Sequence, residues 1–432
     1  MKKLLAVLLC LAMVLSVGIA AFADDEWEPV TIEYWTINSE TAGGTQVQAL
    51  VNKFNETNDK NITVEFRFIP NDYVGVASEL QTALVAGDYP GVVQVGYAYL
   101  NYFAEYFPQF LDISELIDQY APGDVDVVKE SYTDAVWALG TSMTGKQLGV
   151  PYGMSVPVVY YNADLLKEIG LDPDNPPQTW EDWYEAATLM KEKTGNYGFS
   201  FKNADTYTTI PCMLGHGATM FTLDENGKAV ACFATEDSVE AWKTLQKFTT
   251  DGVSPWITIN EGIAGLCGEQ LGAIMTTTAR MTYLRQNCNF DLRTTMFPAY
   301  KGMEDQRSVC IGGNILTIVT DTDAKAKASW EFIKFLIQPE NIYDWISATG
   351  YITPTANATD FPATQEWLDS NPLVDAALEE LNYAKPWTSW PGENSLAIVQ
   401  TIIDMEDDIM ANGADPATRV QKCQDDVNDL LG

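Results

Sequence analysis

Few side chains in this sequence have the type and spacing that catalysis or metal binding needs. The 432 residues include one histidine, His216, and seven cysteines, none of which forms a Cys-x-x-Cys pair. We therefore expect no zinc site, no other metal and no cofactor. A serine–histidine triad would have to use His216, but no serine lies in a Gly-x-Ser-x-Gly pattern. No Gly-x-x-x-x-Gly-Lys-Ser/Thr phosphate loop is present either.

Aromatic and small polar side chains, by contrast, suit the binding of a sugar-like molecule. The chain has 12 tryptophans and 20 tyrosines. A sugar offers weakly apolar C–H faces to flat rings, and hydroxyls around its edge to polar groups. Trp387 and Trp390 flank a proline-containing loop and are stacking candidates, while Asn38 and Ser39 follow the first predicted strand and are hydroxyl-binding candidates. Tryptophans inside predicted strands and helices are assigned to the core: Trp35, Trp180, Trp183, Trp242 and Trp330.

The N-terminus has the pattern of a secretory signal peptide. Lys2 and Lys3 precede an apolar run that closes with Ala21-Phe22-Ala23 ahead of acidic residues. This order predicts that residues 1–23 are removed and that the protein is secreted, to a periplasm or to the outer face of the cytoplasmic membrane. An uncut membrane anchor is the alternative. Lipidation would need a cysteine at the cleavage point, whereas Cys10 lies inside the run.

Charge and length constrain partners and domain number. Without Lys2 and Lys3, 23 basic residues face 60 acidic ones, a net charge of −37. Such a surface repels nucleic acid and anionic lipid, so we expect no nucleic-acid partner. The 409 residues that follow Ala23 are too many for one ordinary core and predict two domains. Six cysteines remain, which allow 15 disulfide pairings.

The predicted elements alternate between strand and helix. Val30–Thr36, Ile62–Ile69 and Val92–Val95 have the patterns of strands. Helical periodicity separates them, with apolar residues from 47 to 54 and again from 77 to 85. This β-α-β-α-β order predicts a parallel sheet with helices on its faces, and therefore an α/β fold.

Four stretches, in order, resemble the extracellular solute-binding proteins of ABC importers, in the large carbohydrate-binding class. They are the opening strand and helix with Trp35 and Lys53-Phe54-Asn55, the Gly149–Trp183 stretch with VPYGMSVPVVYYN and PQTWEDW, the Ser200–Val253 stretch with DENGK and SVEAW, and the Gly312–Thr355 stretch with KAKASWEFIKFL and TGYIT. Within that class the Thr349-Gly350-Tyr351 stretch is most like the glycerol-3-phosphate and disaccharide binders.

The resemblance implies two α/β lobes joined by crossing strands, with the ligand between them. It places residues 24–150 and 293–339 in the first lobe and residues 151–292 and 340–432 in the second. The partners it implies are a carbohydrate ligand and the membrane permease subunits of an ABC importer. The protein itself is expected to be monomeric and non-catalytic. By position in the family pattern it implicates six ligand-binding residues: Tyr73, Tyr97, Ser155, Thr277, Gly313 and Tyr351.

The chain departs from the family pattern in one loop, and two rival functions remain open. The phosphate binders carry an arginine in the segment that is Ser389–Asn394 here, where none is present, which counts against glycerol-3-phosphate. Arg280 is a candidate for an anionic ligand or for a surface salt bridge. With 60 acidic residues, some carboxylate pair always suits glycoside hydrolysis, so a secreted carbohydrate-active enzyme is the main rival. A surface adhesion or scaffold protein, which would lack a closing cleft, is the third.

Overall fold

The computed structural model describes residues 27–203 and 205–432. The signal peptide expected at 1–23 lies outside these residues. Within the described ranges, no helix combines the length and the apolar character that crossing a bilayer requires.

In the part of the chain that the structure describes, twelve strands form two principal sheets and one small hairpin. The first sheet has the order β12-β11-β3-β1-β2, with β4 also paired to β11; the second has the order β10-β5-β9-β6, and β7 pairs with β8. The strands are β1 (Val30–Thr36), β2 (Ile62–Phe68), β3 (Gly91–Gly96), β4 (Val150–Ser155), β5 (Pro157–Asn162), β6 (Tyr197–Ser200), β7 (Phe221–Leu223), β8 (Ala229–Ala231), β9 (Leu271–Thr277), β10 (Leu292–Met296), β11 (Val309–Val319) and β12 (Ala384–Pro386).

Helices cover both sheets, as the alternating pattern predicted. They are α1 (Gly44–Thr57), α2 (Asp72–Ala86), α3 (Leu100–Tyr106), α4 (Ile113–Ile117), α5 (Asp124–Lys129), α6 (Asp134–Trp137), α7 (Ala163–Glu168), α8 (Trp180–Thr194), α9 (Thr209–Leu214), α10 (Glu236–Thr250), α11 (Ile259–Cys267), α12 (Met281–Asn287), α13 (Asp323–Leu336), α14 (Pro339–Thr349), α15 (Ala356–Thr359), α16 (Pro362–Asp369), α17 (Asp375–Glu380), α18 (Ser395–Met410) and α19 (Pro416–Leu431). Short 3₁₀ turns complete the connections.

The β-α-β-α-β expectation for the first sheet is confirmed. Strand β1 pairs in parallel with both β2 and β3, and Tyr34 aligns with Phe66 and Val92. The carboxyl ends of these three strands therefore meet at one edge of the sheet. In the second sheet β6 and β9 are also parallel, so their carboxyl ends share an edge as well. Open α/β sheets bind ligands at such edges.

The two sheets are joined by strands that run from one lobe into the other. Strand β4 belongs to the first sheet and β5 to the second, and only Val156 separates them. Strand β11 pairs antiparallel with β3 and β4, while its first residues, Val309 to Ile311, pair with β12. This geometry is the two-lobe arrangement with crossing strands that the resemblance implied.

The pairing of strands motivates lobe boundaries other than those that the sequence suggested at 150, 292 and 339. Strand β4 lies in the first sheet and β10 pairs with β5 in the second, so the backbone hydrogen bonds place each in the opposite lobe from the one expected. Helix α14 packs on α1 of the first lobe, because Ile342, Trp345 and Ile346 join the apolar core of that lobe. We propose lobe limits with crossings at Val156, between β10 and β11, and after α16, so that β12, at the edge of the first sheet, belongs to the second lobe.

The two crossing strands are in close contact at Gly313. Its φ of 121° is unfavourable for residues with a side chain, and a Cβ atom there would lie 1.9 Å from the carbonyl oxygen of Gly153. The ladder between β4 and β11 also shifts register between Asn314 and Ile315. Gly313 is therefore required by the approach of two backbones.

Replacing Gly313 by alanine should destabilise the fold by at least about 3 kcal/mol, because both the steric contact and the positive φ oppose a Cβ. Chemical denaturation of the unliganded protein measures this. Gly145→Ala is the matched control: Gly145 also has a positive φ (82°), but its Cβ would meet no atom within 4 Å, so the cost should be about 1 kcal/mol. Equal costs at the two positions would contradict the close approach.

Candidate ligand-binding cleft

A cleft lies between the lobes, at the carboxyl-terminal edges of both sheets. Its empty volume is about 510 Å³, part of it open to solvent. The first lobe contributes residues that follow β1 and β2, and the second contributes residues that follow β6 and β9. The lining consists of Ile37, Ala42, Asp72, Tyr73, Ser155, Asn203, Asp205, Tyr207, Ile259, Thr277, Ala279, Arg280, Gly313, Tyr351 and Trp387.

The first-lobe wall is built around two tyrosines. The hydroxyl of Tyr73, on α2, lies 3.0 Å from that of Tyr351 and accepts a hydrogen bond from the Asn314 side-chain amide at 2.8 Å. The Tyr351 ring stacks on Trp345, with centroids 4.4 Å apart, and Trp345 in turn stacks on Tyr152 at 4.1 Å. Burial raises the pKa of Tyr351 to about 12. The two tyrosines are therefore neutral and carry hydroxyl groups on this wall.

On the facing side of the cleft, Tyr207 of the second lobe meets the hydroxyl of Ser155 from the first lobe. The Tyr207 hydroxyl lies 3.2 Å from Oγ of Ser155, at the end of β4. Trp387 packs edge-on against Tyr207, with centroids 5.2 Å apart, and lies 6.3 Å from Tyr73. The Trp387 indole N–H donates to the Thr206 hydroxyl. Two of the sequence candidates, Ser155 and Trp387, are thus held by contacts with residues after β6.

One guanidinium group enters the cleft from the second lobe. Arg280 ends a 3₁₀ turn that follows β9, and the Thr277 hydroxyl caps that turn by accepting from the Ala279 amide at 3.2 Å. Nη2 of Arg280 lies 3.4 Å from Asp72 of the first lobe. The Arg280 side chain is 6% exposed, and within the described ranges its Nε and Nη1 have no hydrogen-bond partner. Arg280 is therefore not a surface salt bridge but a buried cation with two guanidinium nitrogens that lack hydrogen-bond partners among the described residues.

A buried carboxylate lies on the same second-lobe edge. Asp205 accepts a hydrogen bond from Tyr99 of the first lobe at 2.7 Å and another from the Thr206 amide at 2.8 Å. Burial, opposed by these hydrogen bonds and aided by the nearby Asp72 charge, raises the pKa of Asp205 to about 6. The Asp205–Tyr99 and Asp72–Arg280 pairs both join the two lobes, so they stabilise the closed arrangement.

The structure brings six of the ten sequence-derived candidates into the lining: Tyr73, Ser155, Thr277, Gly313, Tyr351 and Trp387. The remaining four lie elsewhere. Asn38 is buried and donates to the Ala42 carbonyl, so it shapes the turn after β1. Ser39 lies in the same turn, where its carbonyl accepts from the amides of Ala42 and Gly44. Both residues position Ala42 and do not line the cleft.

The other two candidates are aromatic. Trp390 is fully buried against Phe221, with centroids 5.1 Å apart, and belongs to the second-lobe core. Tyr97 follows β3 but lines a neighbouring hollow that it shares with Trp387, Asn101 and Ser389. The Tyr97 hydroxyl is buried and has no partner in the part of the chain that the structure describes. The tryptophans assigned to the core, among them Trp35, Trp180 and Trp242, are buried as expected.

Sequence reasoning missed several lining residues, chiefly Asp72, Asn203, Asp205 and Tyr207. Asp72 directly precedes Tyr73, which was itself a candidate, so the sequence already pointed to this part of the cleft. The other three follow β6, a four-residue strand with little pattern of its own. A polar cluster directly after a short apolar run was the available signal, because it marks the carboxyl edge of a sheet.

No group of three or more potential metal ligands forms within residues 27–203 and 205–432.

Comparison with known proteins agrees with this geometry. Residues 49–376 match the family described as bacterial extracellular solute-binding protein. The chain belongs to this family. It is also similar to the sn-glycerol-3-phosphate-binding periplasmic protein UgpB of Escherichia coli K12, with 24% identity over 91% of this chain and 90% of the relative.

Two solved structures share the fold over almost their whole length. The ABC substrate-binding protein from Listeria monocytogenes in complex with cycloalternan matches with a TM-score of 0.79 and 18% identity, covering 94% of this chain and all of the other. UgpB from Mycobacterium tuberculosis in complex with glycerophosphocholine matches with a TM-score of 0.77 and 20% identity, covering 94% and 99%. These likenesses confirm the two-lobe fold.

The buried Asp205 predicts a pH-dependent stability. Because the folded state holds the Asp205 proton more tightly than the unfolded state does, this residue should cost stability as the pH rises from about 4 to about 6, by about 3 kcal/mol in all. Above that range the cost should be constant. Asp205→Asn should therefore gain stability relative to the wild type between pH 4 and pH 7, as measured by denaturant unfolding.

The control for this comparison is Asp251→Asn. Asp251 also accepts a hydrogen bond from a tyrosine, Tyr184, but at an exposed position where its charge is solvated. The free energy of unfolding of Asp251→Asn should match that of the wild type at both pH 4 and pH 7. A difference between wild type and Asp205→Asn that is the same at pH 4 and pH 7 would contradict the burial of this carboxyl group.

Proposed function

We propose that this protein captures a carbohydrate or related polyol in the cleft and delivers it to the membrane permease of an ABC importer. The observation that carries the proposal is the buried Arg280, whose Nε and Nη1 lack partners among the described residues. Unpaired buried donors are costly, so a ligand that accepts from them stabilises the closed form. Family membership supports the role in solute capture.

The other lining groups suit a polyhydroxylated ligand. Trp387, Tyr73 and Tyr207 offer ring surfaces, while Ser155, Asn203 and the two carboxylates offer partners for hydroxyl groups. The names of the similar proteins mention glycerol-3-phosphate, cycloalternan and glycerophosphocholine, all of which carry several oxygen atoms. A site of this composition rejects molecules that lack matching hydroxyls, because its polar groups would then stay unpaired.

The charge balance favours a neutral ligand over a phosphate. The cleft holds one guanidinium, and Asp72 lies 3.4 Å from it. Asp205 adds a second acidic group, and the whole chain carries a net charge of −35. The loop Ser389–Asn394 contains no arginine. An uncharged sugar avoids the repulsion that a phosphate would meet from these groups.

Closure couples ligand binding to delivery. The Asp72–Arg280 and Asp205–Tyr99 pairs form only when the lobes approach, and a ligand that contacts both walls adds to them. Because a ligand shifts an equilibrium only by its differential affinity for the two states, contacts to both lobes set the closed population. Hinge closure around a ligand is a general motion of periplasmic binding proteins. The closed form is the one that would dock on the permease.

A carbohydrate-active enzyme is the rival function, and the cleft gives it little support. The carboxylates in its lining are Asp72 and Asp205, and each is engaged by a partner from the other lobe, Arg280 and Tyr99 respectively. A glycosidase needs one carboxylic acid and one carboxylate free to contact the bond that breaks. We therefore propose that the protein is non-catalytic. We also propose that it works outside the cytoplasmic membrane as a monomer, without nucleic-acid partners.

A thermal-shift screen with neutral mono- and oligosaccharides, polyols and sn-glycerol-3-phosphate tests the proposal. A ligand at 100 times its Kd should stabilise the protein by about 2.7 kcal/mol and raise its Tm accordingly. The compound should be recovered chemically unchanged after incubation. If no carbohydrate or polyol shifts the Tm, or if one is converted to product, the proposed function fails.

Substitutions then assign the site with the compound found. Arg280→Met should weaken binding by about 10- to 100-fold, because it removes charged hydrogen-bond donors while keeping much of the side-chain volume. Arg285→Met is the matched control, since Arg285 lies exposed on α12. Ser155→Ala combined with Tyr351→Phe should weaken binding without unfolding, because the phenyl ring keeps the stack on Trp345. Calorimetric affinities that are unchanged in these variants would refute the site.

A further inference from the structure

Two cysteines lie in contact on the second lobe, away from the cleft. Cys267 ends α11 and Cys288 caps the end of α12, and their Sγ atoms are 3.1 Å apart. Both residues are partly exposed. Of the six cysteines in the described ranges, they alone have sulfur atoms in contact. The sulfurs of Cys232, Cys310 and Cys423 instead donate to backbone carbonyls, and Cys212 is fully buried.

We propose that Cys267 and Cys288 form a disulfide bond that braces the wall of the cleft bearing Arg280. Members of this family are extracellular, and disulfides form and persist outside the reducing cytosol. The two thiols lie close enough to bond with a small side-chain movement, and their partial exposure admits an oxidant. This inference depends on the extracytoplasmic location and on the positions of the thiols, not on the identity of the ligand.

The chemistry needs a disulfide as oxidant, either a low-molecular-weight disulfide or a disulfide oxidoreductase. The Cys267 thiolate attacks one sulfur of that disulfide and expels the other as a thiolate, which leaves a mixed disulfide on Cys267. Cys288 then loses its proton and attacks the Cys267 sulfur, which expels the second thiolate. In total two protein thiols are oxidised and one disulfide is reduced to two thiols. The hydrogen bond with Cys288 lowers the pKa of Cys267, which suits Cys267 to the first attack.

The position of the pair connects it to the ligand site. Helix α12 follows directly on the 3₁₀ turn of Thr278–Arg280, and α11 begins at Ile259, which lines the cleft. Joining the far ends of these helices restrains both elements at once. Because 21 positions separate the two cysteines, the bond also removes conformational freedom from the unfolded chain. A braced second-lobe wall keeps Arg280 in place before the ligand arrives.

Mass spectrometry of the mature chain, treated with oxidised glutathione and then unfolded and alkylated in denaturant, tests the bond. We expect two of the six thiols to resist alkylation and a cross-linked peptide that contains Cys267 and Cys288. Oxidation should raise the Tm by about 4 °C relative to the reduced protein. Amide hydrogen exchange across residues 278–288 should become slower on oxidation, which reports the brace directly.

Cys288→Ser should abolish both effects of oxidation. Cys232→Ser is the matched control, because Cys232 is partly exposed but bonds to the Thr219 carbonyl and should leave both effects intact. The proposal is overturned if both thiols remain free after oxidation, or if the cross-link joins a different pair. It is overturned equally if oxidation leaves both the Tm and the exchange of residues 278–288 unchanged.

Discussion

The close approach of β4 and β11 is the constraint on which the rest of the molecule depends. Gly313 lets two backbones meet where a side chain would not fit, a Cβ on Gly153 would meet the Asn314 side chain, and the ladder between the strands shifts register beside them. Both strands then continue into the second lobe, β4 through Val156 and β11 through its first residues. This crossing joins the two sheets, and Ser155 and Gly313 within it line the cleft at the carboxyl edges of both sheets. The cleft is the space that remains between those edges.

When the lobes close, buried polar groups in the cleft lack a full set of hydrogen-bond partners, and a ligand can supply the missing partners. The lobes bring Arg280 and Asp72 together and place Asp205 against Tyr99, but each contact satisfies only part of the charge it buries. Two nitrogens of Arg280 remain without partners among the described residues, and burial raises the pKa of Asp205. Buried polar groups in this state are costly. Under the proposed function, a ligand that pairs with these groups would stabilise the closed cleft relative to an empty one.

The sequence predicted the fold well because most of its information is local. Alternation in Val30–Thr36 and helical periodicity before Ile62–Phe68 correctly indicated strands and helices, and their order implied the parallel sheet. The lining of the candidate cleft was predicted in part, because its members lie at the ends of elements that meet: Tyr73 at the start of α2, Ser155 and Thr277 at the ends of β4 and β9, and Tyr351 just after α14. The candidates that the sequence placed wrongly are those whose position depends on tertiary packing. Trp387 and Trp390 occupy the same loop, yet one faces the cleft and the other packs on Phe221. Nothing in the spacing of that loop separates them.

Cysteine pairing shows the same division between local and tertiary information. Six cysteines allow 15 pairings, and spacing alone favours none of them. The fold removes this ambiguity, because α11 and α12 flank β9 in the chain and end side by side. Cys267 and Cys288 lie at those two ends, so their contact follows from the path of the second sheet. The same path places Arg280 between them in sequence, at the start of α12. The segment that ends at Arg280 is thus enclosed by the only two thiols that the described fold brings into contact.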